Sequence, residues 1–264
     1  MPAISTVRAK DGIEWYCERQ GQGPHLVLLP SGEGDCASFA KVAALLAHSF
    51  TVTTFDMPGM SRSKAPEAAM ANITATKLAS QVVGLLDELS INIATVYGCS
   101  SGGLVALALA SAHAERVRSA IVHEVPLAKR LGALTKLDDE AIVSFCRQIF
   151  EEQMVGNKDA WDALGPDYHA RLDRNYMTWV RTYIDRVERS FTKEELRVSP
   201  IDWTIGALSP AGLFFDNVVL ACQAGIPIGL LDCRHFPQVT IPDQLAEHIL
   251  AAATKHLGES KEKI

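Results

Sequence analysis

The chain has 264 residues, of which 48 % are hydrophobic and 21 % charged, and its net charge is −6. Such a chain buries a full core without disulfide or metal staples, and an acidic balance without a long basic run excludes a phosphate-neutralising nucleic-acid surface. Cys17, Cys36, Cys99, Cys146, Cys222 and Cys233 are scattered with no C-x-x-C, so neither a metal site nor a dense disulfide framework is expected, only reduced and mostly buried thiols. The opening residues lack an apolar signal core, and no run of about 18 apolar residues could span a membrane. A cytoplasmic protein with no membrane partner is the expectation.

In chain order, residues 5–10 and 13–19 read as two strands joined at Asp11-Gly12, a strong hairpin signal. Residues 25–30, HLVLLP, suit a strand buried on both faces. A helix over 37–47 follows, with Val42, Leu45 and Leu46 on one face, then a β-branched strand at 51–56. Residues 74–89 form an amphipathic helix, 93–97 a buried strand, 103–112 an apolar helix and 118–123 a further strand. Strands near 202–206 and 227–232 and a helix over 242–256, with Leu245, Ile249 and Ala252 inward, complete the pattern. Alternating strands and helices predict an α/β fold with a mostly parallel central sheet and helices on both faces. Residues 127–200 show helical patterning only; Ile142, Phe145, Ile149 and Phe150 mark one face. The expected organisation is a core of residues 1–126 and 201–264, with 127–200 inserted as a helical cap.

Gly98-Cys99-Ser100-Ser101-Gly102 lies between a buried strand and an apolar helix. In that context Gly-x-Ser-x-Gly is a nucleophile turn: small residues two before and two after Ser100 let strand and helix approach and leave Oγ exposed. Ser101 then offers its backbone N–H to a developing oxyanion, and the loop Pro30-Ser31-Gly32-Glu33-Gly34 offers a second donor, most naturally Gly32. The base belongs on the loop after the last strand, where His235 stands. The other histidines begin a strand, flank helices or fall in the insertion. The acid is displaced. The turn after 202–206, Ala207-Leu208-Ser209-Pro210, holds no carboxylate, Asp202 is at the wrong end of its strand, and Asp216 falls on a later helix. Glu124, at the carboxyl end of strand 118–123, can reach the imidazole. A solvated charge or a contact to the insertion is the alternative for Glu124, and His123 reads as a strand-end residue.

The segments TVTTFDMPGMSRS, YGCSSG, HEVP, NYMTWVRTY, DWTIGA, FFDN and IGLLDCRHFP together resemble the fungal zearalenone lactonases (zearalenone hydrolases) over nearly the whole chain. The resemblance implies the α/β-hydrolase fold and a triad of Ser100, Glu124 and His235, with oxyanion donors at Gly32 and Ser101. It further implies Trp179 packed on the resorcylic ring system with Tyr183 close by. Ser31, Pro126, Leu131, Phe214, Arg234 and Phe236 join these two as candidate substrate contacts. The implied reaction opens a macrocyclic lactone, whose hydroxy acid then loses carbon dioxide, and no cofactor is implied. The chain departs from the family pattern at Ser31, where Asp is familiar, at Arg234, where an apolar residue is familiar, and at Ile184, where Pro is familiar. Arg234 could face the pocket or water. A small-molecule lactone is the expected partner, and a second copy of the chain is left open. Two other readings stand beside the lactonase: a carboxylesterase or carbon–carbon-bond hydrolase, and a small-molecule receptor on a hydrolase scaffold. Epoxide hydrolase and dehalogenase relatives carry an Asp nucleophile, which this turn lacks.

Overall fold

A computed structural model of the protein describes residues 1–127, 132–187, 189–210 and 212–258. One sheet contains β1 (Ala3–Arg8), β2 (Glu14–Gln20), β3 (His25–Leu29), β4 (Thr51–Phe55), β5 (Ala94–Cys99), β6 (Val117–His123), β7 (Ile201–Gly206) and β8 (Ile228–Leu231), in the order β1-β2-β4-β3-β5-β6-β7-β8. β1 and β2 pair antiparallel, as do β2 and β4, and every other pairing is parallel. β5 is buried along its whole length because helices cover both faces of the sheet there. The first strand lies two residues earlier than its sequence pattern suggests. The Ala9 N–H bonds to Ile13 O and the Gly12 N–H to Ala9 O, which commits 9–13 to the turn, with Gly12 at φ +84°.

The helices are α1 (Ala40–Leu46), α2 (Glu67–Met70), α3 (Ala75–Glu88), α4 (Ser101–Ala112), α5 (Asp139–Gln148), α6 (Lys158–Asp162), α7 (Pro166–Thr178), α8 (Ile184–Val187), α9 (Phe215–Ala224), α10 (Pro237–Thr240) and α11 (Pro242–Thr254). Gly102 through Ala110 of α4 are all buried, as an all-apolar helix against the sheet must be. Leu45 and Phe145, expected on inward faces, are 40 % and 37 % exposed. A 3₁₀ turn at Cys36–Phe39 resets the rotation of α1, and α5 buries the i, i+4 pair Ile142 and Cys146 instead. Among the described residues between β6 and β7 there is no strand, and none of the helices is long and apolar enough to cross a membrane. Two helices of this insertion continue as π-helical segments, α5 into Ile149–Val155 and α7 into Trp179–Tyr183.

The strand order reverses beside β3, so the loops leaving β3 and β5 diverge and open a crevice at the carboxyl ends of the strands. Ligands of open α/β sheets bind in such a crevice. The insertion is bolted to one wall of it. The fully buried Asn175 of α7 donates from Nδ2 to Glu33 O (2.6 Å) and Ser61 Oγ (2.7 Å), and its Oδ1 accepts from Ser61 N–H (2.7 Å). Beside it, Asp35 receives Arg171 of α7, Arg62 and the Ser61 hydroxyl. Burial alone would raise the Asp35 carboxyl, but these partners hold it below the usual carboxylate range. Glu33 lacks such cations. It is wholly buried, accepts from the Ser38 hydroxyl at 3.2 Å, and burial pushes it up to about 7.

Two predictions follow from this wall. Asn175→Ala strands Glu33 O and Ser61 N–H without their partner and should cost about 2–4 kcal/mol in urea denaturation; a loss under about 0.5 kcal/mol contradicts the bolt. Glu33 contributes stability that is complete below its ordinary 4.5 and lost as pH rises through about 7, because the folded state then holds a buried charge. Glu33→Gln should therefore be more stable than the parent by on the order of 3 kcal/mol near about pH 8.5, with no advantage near about pH 4.5. Equal stability differences at both pH values would refute the assignment.

Candidate active site

Ser100 alone joins β5 to α4, at φ +52° and ψ −125°. The left-handed backbone of a non-glycine is tolerated because the flanks enforce it. The two motif glycines are required by contact. A Cβ on Gly98 would lie 2.2 Å from Gly102 O, and one on Gly102 would lie 2.4 Å from Leu29 O and 2.7 Å from Pro30 O. The same close approach brings the start of α4 beside the loop that leaves β3. Strand and helix both run up to Ser100, longer than the 93–97 and 103–112 read from sequence, because one residue makes the whole turn.

Glu124 follows β6 and also has a left-handed backbone, at φ +45°. It is fully buried. Its Oε2 lies 2.7 Å from His235 Nδ1, and its Oε1 accepts from the Gly206 N–H at 2.8 Å. A side chain at position 206 would intrude, since its Cβ would sit 2.5 Å from Cys233 O and 3.0 Å from Glu124 Oε1. Burial pushes the Glu124 carboxyl up, but the hydrogen bond and charge of His235 hold it below the ordinary value. With Nδ1 committed to Glu124, Nε2 is the His235 nitrogen left to accept a proton. The imidazole is stacked on Phe214 (5.0 Å, 8° between planes) and Phe236 (5.2 Å, 30°), and its backbone carbonyl accepts from the Cys99 thiol at 2.9 Å. His123 is not a second base. It is buried, its Nδ1 pairs with Thr204 Oγ1 at 2.9 Å, and burial lowers it to about 4, so it is neutral. Asp202 binds His248 at the far end of β7 (2.7 Å), away from the site.

Ser100, Ser101 and His235 share one cavity of about 310 Å³, walled otherwise by Val125, Pro126, Ile149, Gln153, Met154, Trp179, Ser209, Pro210, Leu213, Phe214 and Asp216. Of the substrate contacts expected from sequence, Trp179, Pro126 and Phe214 line it. Tyr183, Ser31, Phe236 and Arg234 do not. The buried Tyr183 hydroxyl donates to Pro58 O at 2.7 Å, tying the insertion to the loop after β4. Ser31 is buried within the loop after β3, and Phe236 packs on Phe150. Arg234 donates to Glu152 O at 2.6 Å and lies across Gly156, whose Cβ would come within 2.6 Å of Arg234 Cδ; the guanidinium fastens the insertion rather than facing the ligand. Leu131 lies outside the described residues. Gly32 is covered by Trp179, since a Cβ there would sit 2.8 Å from Trp179 Nε1. Sequence periodicity missed Gln153 and Met154 and placed Ile149 in the core with Phe150, because the π-helical winding at Ile149–Val155 shifts the 3.6-residue register. The Ser209-Pro210 turn was legible as a loop at a strand's carboxyl end, but not as a wall. Among the described residues no cluster of three or more His, Cys, Asp or Glu is arranged to hold a metal.

The alpha/beta hydrolase fold family matches residues 24–205. Among solved structures, the chain superposes on an enol-lactonase from Burkholderia xenovorans LB400 with a TM-score of 0.71 at 20 % identity, over 96 % of this chain and 100 % of that one. It superposes on a putative epoxide hydrolase mutant from Pseudomonas aeruginosa with a TM-score of 0.77 at 17 % identity, over 97 % of this chain and 96 % of that one. These likenesses speak to the fold alone. In sequence the chain is 44 % identical to the zearalenone hydrolase of Bionectria ochroleuca, over 97 % of this chain and all of that protein. It is 45 % identical to that of Cladophialophora bantiana, over 96 % and 97 % respectively. With a serine turn, a buried Glu–His pair and full-length identity of this order, the chain belongs to the alpha/beta hydrolase fold family and, within it, to the zearalenone hydrolases.

Proposed function

We propose that the protein hydrolyses the ester bond of zearalenone, a macrocyclic resorcylic acid lactone, through an acyl-enzyme on Ser100. The observation that carries the proposal is the convergence of Ser100 and the Glu124-bound His235 on one largely apolar cavity; the full-length relatives named zearalenone hydrolase support the substrate. Ser100 Oγ attacks the lactone carbonyl carbon while His235 Nε2 takes its proton. Glu124 holds the Nδ1–H tautomer and stabilises the imidazolium that forms. The tetrahedral oxygen is received by the N–H groups of Ser101 and Gly32, at the positive end of α4. Collapse breaks the bond to the ring oxygen, which takes the proton from His235 and remains tethered to the acyl group as a free hydroxyl. Water, deprotonated by His235, then releases the hydroxy acid and restores Ser100. Residues 127–200 act as a cap, and Trp179 supplies a flat apolar face for the aromatic ring.

Turnover of zearalenone and of α- and β-zearalenol, followed chromatographically, tests this directly. Ser100→Ala and Glu124→Ala should each lower kcat, the former by about 10³-fold or more, with Asp216→Ala retaining triad chemistry. Trp179→Ala should raise KM roughly tenfold, about 1.4 kcal/mol of lost ring contact. Fast cleavage of simple aryl esters without ring opening would assign a general esterase, and stoichiometric binding without turnover a receptor. If Asp216→Ala abolishes turnover while Glu124→Ala does not, the acid is wrongly assigned.

A further inference from the structure

We infer that Asn217 is a positioning residue that holds the backbone aiming Glu124 at His235; the inference rests on the triad proposed above. Asn217 lies in α9, has no solvent exposure and is not part of the cavity wall, so it does not touch substrate. All four hydrogen-bonding positions of its carboxamide are used. Oδ1 accepts from the Val125 N–H (2.8 Å) and from Trp203 Nε1 (3.0 Å), while Nδ2 donates to Val125 O (2.8 Å) and Asp216 Oδ1 (2.9 Å). Val125 is the residue after Glu124. The side chain therefore grips both peptide groups of Val125, just beyond the left-handed turn at Glu124. A non-glycine persists in that conformation only where its surroundings over-determine it. On the other flank the Glu124 N–H bonds to Thr204 O at 3.1 Å and the Gly206 N–H to Oε1. With the grip on Val125 released, the turn can relax and swing the carboxylate away from Nδ1. The orientation of the carboxamide is unambiguous, because two of its partners are obligate donors and Val125 O is an obligate acceptor.

The test is a double-mutant cycle in the full-length chain, with an aryl ester as probe and active sites counted by phosphonate titration. Asn217→Asp keeps the acceptor but replaces the donor facing Val125 O. It should lower kcat per titrated site by about 10–100-fold with KM within about twofold, the loss expected from a misplaced catalytic group. In a Glu124→Ala background the same substitution should cost less than about threefold, because the group it positions is gone. The far-downfield imidazole proton of the His235–Glu124 bond should weaken in Asn217→Asp. If that variant does not fold, Asn217→Ser carries the same comparison. A kcat per site within about threefold of the parent, or an undiminished loss in the Glu124→Ala background, overturns the inference while leaving the triad standing. Full activity of Glu124→Ala alone overturns the triad and the inference with it.

Discussion

A carboxylate with no access to water sits at the end of β6, on a backbone turn that side-chain-bearing residues rarely adopt. Burying an unpaired charge costs far more than a typical domain's margin of stability. Glu124 is tolerable because His235, the bare N–H of Gly206 and the Ser209 side chain all hydrogen-bond its carboxylate. That requirement propagates outward. Gly206 must lack a side chain, β7 must end beside β6, and the loop after β8 must return far enough to deliver His235. The Cys99 thiol then holds the His235 carbonyl and the Ser100 N–H holds the His123 carbonyl, so Ser100, His235 and Glu124 are tied together by hydrogen bonds between distant segments.

The insertion between β6 and β7 is part of the same construction. Through Asn175 and Arg171 it grips the loop after β3. Through Glu152 and Met154 it grips both neighbours of His235, accepting from the Arg234 guanidinium and the Phe236 N–H. Trp179 closes against Gly32, which explains why the loop needs a residue without Cβ at a place where φ alone does not demand one. The π-helical segments at Ile149–Val155 and Trp179–Tyr183 lie where these helices meet the cavity, as such irregular turns often do. Arg234 gains a plain physical role: its charge is spent on a backbone carbonyl outside the pocket.

Much of this was legible in one dimension. The serine turn announced itself because a strand, two glycines and an apolar helix must occur together for the turn to close. His235 followed from its place after the last strand. Glu124 followed from an absence, since Ala207-Leu208-Ser209-Pro210 contains no carboxylate. Trp161 is interior and packs on Tyr168 and His169. Tyr183 and Phe236 were read as ligand contacts because aromatic residues near a site look alike whichever way they point. Tyr183 in fact spends its hydroxyl on Pro58 O, and Phe236 spends its ring on Phe150.

By itself the sequence determined the order of strands and helices, the residue that bends between β5 and α4, and the candidates for its two partners. Each of these is written in local spacing, which period-2 and period-3.6 burial translate directly into structure. Tertiary structure alone decided which side chains face the cavity, because that depends on contacts between residues more than 100 positions apart, such as Glu124 with His235 and Asn175 with Glu33. It also decided that Gln153 and Met154 are walls and Arg234 a fastening, since a π-helical turn rotates its residues off the register that sequence periodicity assumes.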